Sequence, residues 1–183
     1  MSDKIFYTYT SLNGFKKIGV AINHLGLCSI SLSLPSRESF VQFLKNKFLG
    51  LQLIEDLQLV TPIINQLYEY LHKQRQNFEM PINWHIINSP FQKLVLKETA
   101  NIPYGHVMTY GQLAMRIGKP KAVRAVGGAL GRNPFPIVVP CHRVVAANGS
   151  LGGFTGGLDL KKHLLSIENV SLPDYIKTRG KGS

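Results

Sequence analysis

Acidic residues are scarce in this chain. Ten Asp and Glu stand against twenty-one Lys and Arg in 183 residues, a formal charge of +11. That imbalance argues against an acidic, solvating protein and for a polyanionic partner. Cysteine is scarcer still: Cys28 and Cys141 are the only two, more than a hundred positions apart, which excludes a disulfide scaffold or a cysteine-rich zinc module. No apolar run approaches the roughly 20 residues that span a bilayer, and the opening MSDKIFYTYT has no signal-peptide core. The expectation is a cytoplasmic protein without membrane association.

What is present is enough apolar residue, 44% of the chain, for one sizeable domain or two small ones. The basic charge is uneven. Residues 1–89 carry 8 Lys/Arg against 6 Asp/Glu, whereas residues 90–183 carry 13 against 4, so the second half is the candidate nucleic-acid surface.

In the first half, the alternating runs KIFYTYT, FKKIGVAIN and LGLCSISLSL read as an antiparallel meander. Two helical patterns follow, SRESFVQFLKNKF and one in which Thr61 caps, Pro62 takes the first helical position, and Ile63, Ile64, Leu67 and Leu71 form the apolar stripe. His24 and Cys28 lack a second pair at ligand spacing, and Cys28 lies in an apolar strand pattern, where a free thiol behaves as a small hydrophobe. No metal site is expected, and Trp84 and His85 read as packing residues.

A boundary falls at NSPF, giving expected domains of 1–88 and 89–183. Ser89 and Pro90 start a helix over FQKLVLKETANI. Thr109 and Gln112 then make a capping box for TYGQLAMRIG, which Gly118 and Pro120 end. A second helix, KAVRAVGGALG, starts within about four residues, a spacing that reads as helix-turn-helix. Gly127 and Gly128 within it each cost about 1 kcal/mol relative to alanine. With Ala122, Ala125 and Ala129 they make a small-residue surface, and Lys119, Lys121, Arg124 and Arg132 lie nearby. Close approach to DNA accounts for that combination better than helix packing does.

The chain continues through NPFPIVVPCHRVV, read as a proline-rich loop and a short apolar strand with Cys141 at the turn leaving it. Glycine-rich AANGSLGGFTGG and a last helix, LDLKKHLLSIEN, precede a basic tail, YIKTRGKGS. An ordinary thiol, with a pKa near 8.5, is mostly protonated at neutral pH, so a nucleophilic Cys141 needs help. His142 is adjacent, Arg143 adds positive potential, and the start of a short helix would add its dipole; all three are expected to favour thiolate.

The segment from Gly118 to Asn169, and PCHRVV above all, resembles the O6-alkylguanine-DNA alkyltransferases, also called methylated-DNA–protein-cysteine methyltransferases. The likeness is strong over about residues 89–168; before that, only the order of strands and helices is similar. It implies a mixed α/β (α+β) fold: an N-terminal antiparallel sheet with helices, ribonuclease H-like, then a winged-helix-like domain with the helix-turn-helix. It implies a monomer on double-stranded DNA, with no cofactor, that moves an alkyl group irreversibly to Cys141. By position, His142 matches the histidine that takes the thiol proton through water, and Glu168 the carboxylate that orients it. Asn133 matches the asparagine that holds the turns of the site. Tyr110 matches the tyrosine that rotates the target phosphate and serves the leaving guanine, and Arg124 the finger that fills the gap left by the extruded base. Val144, Thr155 and Gly156 match positions around the base pocket. Gly111, Ala125 and Arg132 fall on the DNA side.

Three departures bear on adduct size rather than on the reaction: Phe154 for tyrosine, Thr155 for serine, and GRNP for RGNP. Three other readings use some of the same residues. A non-catalytic damage binder lacks the acceptor cysteine, a helix-turn-helix regulator would bind one operator, and a cysteine hydrolase built on Cys141, His142 and Glu168 would turn over.

Overall fold

A computed structural model describes residues 4–12 and 15–171. The basic tail lies outside the described residues. The chain divides into two compact units, Met1–Ile86 and Ile87–Ser183.

In the first unit, β1 (Lys4–Leu12), β2 (Phe15–Asn23) and β3 (Gly26–Ser31) form the expected antiparallel meander. The structure adds β4 (Gln52–Glu55), parallel to β1, so the sheet is mixed with the order β3-β2-β1-β4. Four residues of QLIE are too few for alternation to reveal them in sequence. Helix α1 (Arg37–Lys47), capped by Ser36, brings Phe40 and Leu44 onto Ile5, Tyr7, Ala21 and Cys28. The ring of Phe40 lies where a Cβ on Gly19 would stand, 2.7 Å away, so this strand position must be glycine.

Helix α2 (Leu57–Leu71) corrects the expected start. Asp56 caps it by accepting the Leu59 amide at 3.0 Å, and Thr61 and Pro62 lie inside the helix. As the sixth helical residue, Pro62 removes the bond to the Gln58 carbonyl and its ring crowds that oxygen, a cost offset by the apolar stripe the helix buries. The Thr61 hydroxyl bonds back to the Leu57 carbonyl instead of capping. The buried stripe is Val60, Ile63, Leu67 and Tyr70. Trp84 to Ile86 form a 3-10 turn in which Trp84 is half-buried and His85 exposed, while His24 is exposed.

The second unit begins with α3 (Pro90–Ala100), capped by Ser89, and continues through β5 (Met108–Thr109), α4 (Tyr110–Arg116) and α5 (Val123–Gly131). The capping box is present: Thr109 Oγ1 accepts the Gln112 amide at 3.2 Å, and Gln112 Oε1 accepts that of Thr109 at 2.8 Å. Helix α4 ends in a Schellman turn, with Gly118 at φ 69° and the Lys119 amide bonded to the Ala114 carbonyl. Helix α5 packs on both α3 and α4.

No strand precedes Cys141, contrary to expectation. Residues 133–140 wind through tight turns, and buried Ile137 adopts φ 75°, a strained conformation for a β-branched residue. The prolines Pro134, Pro136 and Pro140 each remove an amide that a ladder would need. The strand comes afterwards: β6 (Val144–Val145) runs parallel to β5, with Met108 opposite Val144 and Thr109 opposite Val145. This short ladder ties the start of α4 to the residues leaving Cys141. Helix α6 (Leu158–Ile167) closes the unit. Among the described residues, no helix is long and apolar enough to cross a membrane.

Candidate active site

Cys141 opens a 3-10 turn, Cys141–Arg143, and is only 8% exposed. Asn133, just beyond α5, holds it. Its Oδ1 accepts the Phe135 amide at 3.0 Å, and its Nδ2 donates to the Val139 carbonyl at 2.8 Å and to Cys141 Sγ at 3.2 Å. One side chain thus fixes the turns and points a donor at the sulfur.

Behind the cysteine, His142 is fully buried, and its Nε2 lies 2.8 Å from Glu168 Oε1. Glu168 caps the C-terminus of α6, which Asn169 ends at φ 57° with the Val170 amide bonded back to the Leu165 carbonyl. A carboxylate is disfavoured at that end of a helix and under burial. Burial would raise its pKa, but the bonds from His142 and Arg143 hold it down at about 2. An ionised carboxylate only accepts, so His142 carries its proton on Nε2, and Nδ1 is the nitrogen with basic capacity. Burial, together with the charges of Arg143 and Lys161, holds the imidazole below its ordinary pKa against the pull of Glu168. It is a neutral base.

In front of the cysteine lies a cavity of about 540 Å³. Val123, Arg124, Gly127, Leu130 and Gly131 of α5 form one wall, Gly153, Phe154 and Thr155 the other, and Tyr110 and Cys141 complete it. Two hydroxyls join parts of this lining: Thr155 Oγ1 donates to the Gly131 carbonyl at 2.7 Å, and Tyr110 Oη to that of Gly153 at 3.3 Å. Tyr110 is also pushed above its ordinary pKa by burial and by the neighbouring Cys141, so it is a protonated donor at neutral pH.

The expected residues fall into three groups. Tyr110, Arg124, Cys141 and Thr155 line the cavity, Asn133 bonds the sulfur, and His142 pairs with Glu168. Val144 and Gly156 are not among its lining residues. Val144 is buried in β6, and a Cβ on Gly156 would meet Leu160 at 2.7 Å and the Phe154 ring at 3.0 Å, so that glycine serves loop packing. Ala125 and Arg132 are exposed, and Gly111 is half-buried in α4.

The expected thiolate needs correction. Burial pushes the Cys141 thiol up, and the Asn133 amide and Lys161 charge offset this only in part. Arg143 is turned away onto Glu168, and a three-residue turn has almost no dipole to offer. Cys141 rests as a thiol and His142 as a neutral imidazole.

Two cations of the site escaped the sequence reading in these roles. Lys161 is fully buried, and its ammonium donates to the carbonyls of Val144 at 2.6 Å, Leu151, and Gly153 at 3.5 Å, with its Nζ 6.0 Å from the Tyr110 ring centroid. It pins the loop that carries half of the cavity. Burial brings its pKa down to about 8. The signal was its phase: Lys161, Leu164, Leu165 and Glu168 recur at helical spacing, which places both charges on the apolar stripe. Arg143, also buried, grips Glu168. Among the described residues, no group of three His, Cys, Asp or Glu side chains is placed to hold a metal ion.

Residues 90–170 match the family model described as 6-O-methylguanine DNA methyltransferase, DNA binding domain. The inducible methylated-DNA–protein-cysteine methyltransferase of Bacillus subtilis is 37% identical over 163 residues, 89% of this chain and 83% of its own. A methylated-DNA–protein-cysteine methyltransferase of Methanosarcina mazei is 43% identical over 119 residues, covering 65% and 74%. The crystal structure of Mycobacterium tuberculosis O6-methylguanine methyltransferase matches at a TM-score of 0.75 and 30% identity, over 90% of this chain and 92% of that one. The Mycobacterium tuberculosis OGT complex with DNA matches at 0.71, with the same identity and coverage. Likeness of this extent in both sequence and fold reaches well beyond the motif around the cysteine, and the chain belongs to the methylated-DNA–protein-cysteine methyltransferase family.

Proposed function

We propose that this protein repairs DNA by direct reversal, taking the alkyl group of an O6-alkylguanine onto Cys141 in a single irreversible event. The observation that carries this reading is the setting of Cys141: a sulfur on the wall of a cavity, with the Asn133 amide at 3.2 Å, followed in the chain by a buried neutral base, His142.

The chemistry balances without a cofactor. His142 Nδ1 takes the thiol proton through water, a step that Glu168 assists by fixing the tautomer. The sulfur then attacks the alkyl carbon in line; a C–S bond forms as the C–O6 bond breaks, and the departing guanine receives a proton from the Tyr110 hydroxyl. A thioether has no ready leaving group, so each molecule acts once.

An alkyl group inside a duplex is out of reach, so the nucleotide must rotate out at an unstacking cost of a few kcal/mol. Arg124, exposed on α5 beside the cavity, suits the vacated space. The glycines of α5 support close approach to the duplex. A Cβ at Gly127 or Gly128 would meet no atom nearer than 3.8 or 3.7 Å, so internal packing does not require them. Gly111, Ala125 and Arg132 belong to the same DNA-facing surface, Thr155 contacts the flipped base, and Val144 and Gly156 support the pocket from behind. The protein acts as a monomer on double-stranded DNA in the cytoplasm, and its units are the supporting 1–88 and the reactive 89–183.

The test is an end-point titration of a duplex containing one O6-methylguanine. Restored guanine should plateau at one equivalent per protein molecule. Continued turnover would favour a hydrolase, and binding without restoration a damage binder or a regulator.

A further inference from the structure

Glu168 is shared by two buried donors of like charge capacity, and only one of them, His142, belongs to the proton path. The other is Arg143. Its Nε lies 3.1 and 2.9 Å from the two carboxylate oxygens, and its Nη2 2.9 Å from Oε1, the oxygen that also serves His142. Its Nη1 donates to the Ile102 carbonyl at 2.5 Å, and the guanidinium lies 5.9 Å from the Tyr104 ring centroid. The Gly105 amide takes a further place on Oε2 at 3.1 Å, so five hydrogen bonds hold the carboxylate in place.

A carboxylate beside a buried imidazole ordinarily does two things: it orients the ring and it stabilises the imidazolium. A histidine kept protonated cannot receive the proton of a thiol. Here a guanidinium fork, which is always charged, already balances the carboxylate. We propose that Arg143 is a positioning residue that lets Glu168 orient His142 while cancelling its charge, and so keeps His142 free to accept the Cys141 proton. The inference rests on the reading of Cys141 as the alkyl acceptor. The charged groups that act on His142 are Lys161 from α6, Glu168 at the C-cap of that helix, and Arg143 from its own turn. Because Arg143 and His142 bond to one oxygen, their charges lie within about 6 Å, where a neighbouring charge moves a titration by about one unit or more.

The experiment follows the His142 ring by NMR and the methyl-transfer rate to an O6-methylguanine duplex, both against pH, in Arg143→Gln, Arg143→Lys and Glu168→Gln. In Arg143→Gln, the His142 titration and the acid-side midpoint of the rate should rise together by about one pH unit. Arg143→Lys, which keeps the charge but not the fork, should move them less than half as far. In Glu168→Gln the His142 titration should fall. A purely structural role would lower the rate at every pH and leave the midpoint in place, and that result in Arg143→Gln overturns the proposal. So does an equal rise in Arg143→Lys, or an upward shift in Glu168→Gln, which still tests the idea if Arg143→Gln fails to fold. Titrations that move as described in a protein that transfers no methyl group would instead refute the alkyl-transfer reading and leave the Arg143 inference standing.

Discussion

Gly152→Ala should disable the site through Tyr110. Gly152 has φ 66°, a conformation that costs an L-residue about 1–2 kcal/mol. Its added Cβ would stand 2.8 Å from Tyr110 Cε2 and 2.9 Å from Oη, closer than atoms tolerate. The ring must move, and the Tyr110 bond to the Gly153 carbonyl goes with it, a further loss of about 1 kcal/mol. Together these predict a destabilisation of about 2–3 kcal/mol in urea denaturation. The methyl-transfer rate should fall at least about tenfold, because the leaving-group donor is displaced. Gly153→Ala is the matched control: its Cβ meets nothing within 4 Å, so stability should stay within about 0.5 kcal/mol of the parent. If Gly152→Ala matches Gly153→Ala in both stability and rate, the placement of Tyr110 against the loop is wrong.

Acid sensitivity should come from the same buried cluster. Glu168 titrates at about 2 in the folded chain against 4.5 ordinarily, so its stabilisation is full above about pH 4.5 and is lost as the pH falls towards 2. His142 is also depressed, from 6.5; the unfolded chain protonates first, and stability declines further as the pH drops below about 6.5. Denaturation midpoints should therefore fall on acidification from pH 7, and Glu168→Gln should remove the part below pH 4.5. Lys161→Met should raise the Cys141 thiol further and slow its reaction with iodoacetamide about tenfold at pH 7, one unit of titration. An unchanged iodoacetamide rate would count against Lys161 as an electrostatic partner of the sulfur.

Local chemistry made much of this molecule legible in sequence. Ser89, Thr109 with Gln112, and Gly118 announce the helices of the second unit because caps and left-handed turns act over three or four residues. Cys141 and His142 stand out as neighbours in sequence, whereas Asn133 came only from the family resemblance, because the turns that carry it to the sulfur read as a strand. Thr61 with Pro62 misled, because Asp56 offers an equally good cap and the buried stripe of α2 outweighs a proline inside the helix. The strand expected before Cys141 failed because apolar character alone cannot form a ladder where proline removes its donors. β4 escaped for lack of length. Arg143 and Lys161 were the harder misses: their roles depend on Glu168, Ile102 and Leu151, partners set by tertiary packing. A charged residue in phase with an apolar stripe was the only local sign.

The most direct test of the account is the intact mass of the protein after incubation with a duplex carrying one O6-methylguanine, followed by peptide mapping. The account predicts a gain of one methyl group on Cys141, saturating at one per molecule and absent in Cys141→Ser. An unchanged mass in protein that binds the duplex, or a methyl group mapped to any other residue, would contradict it.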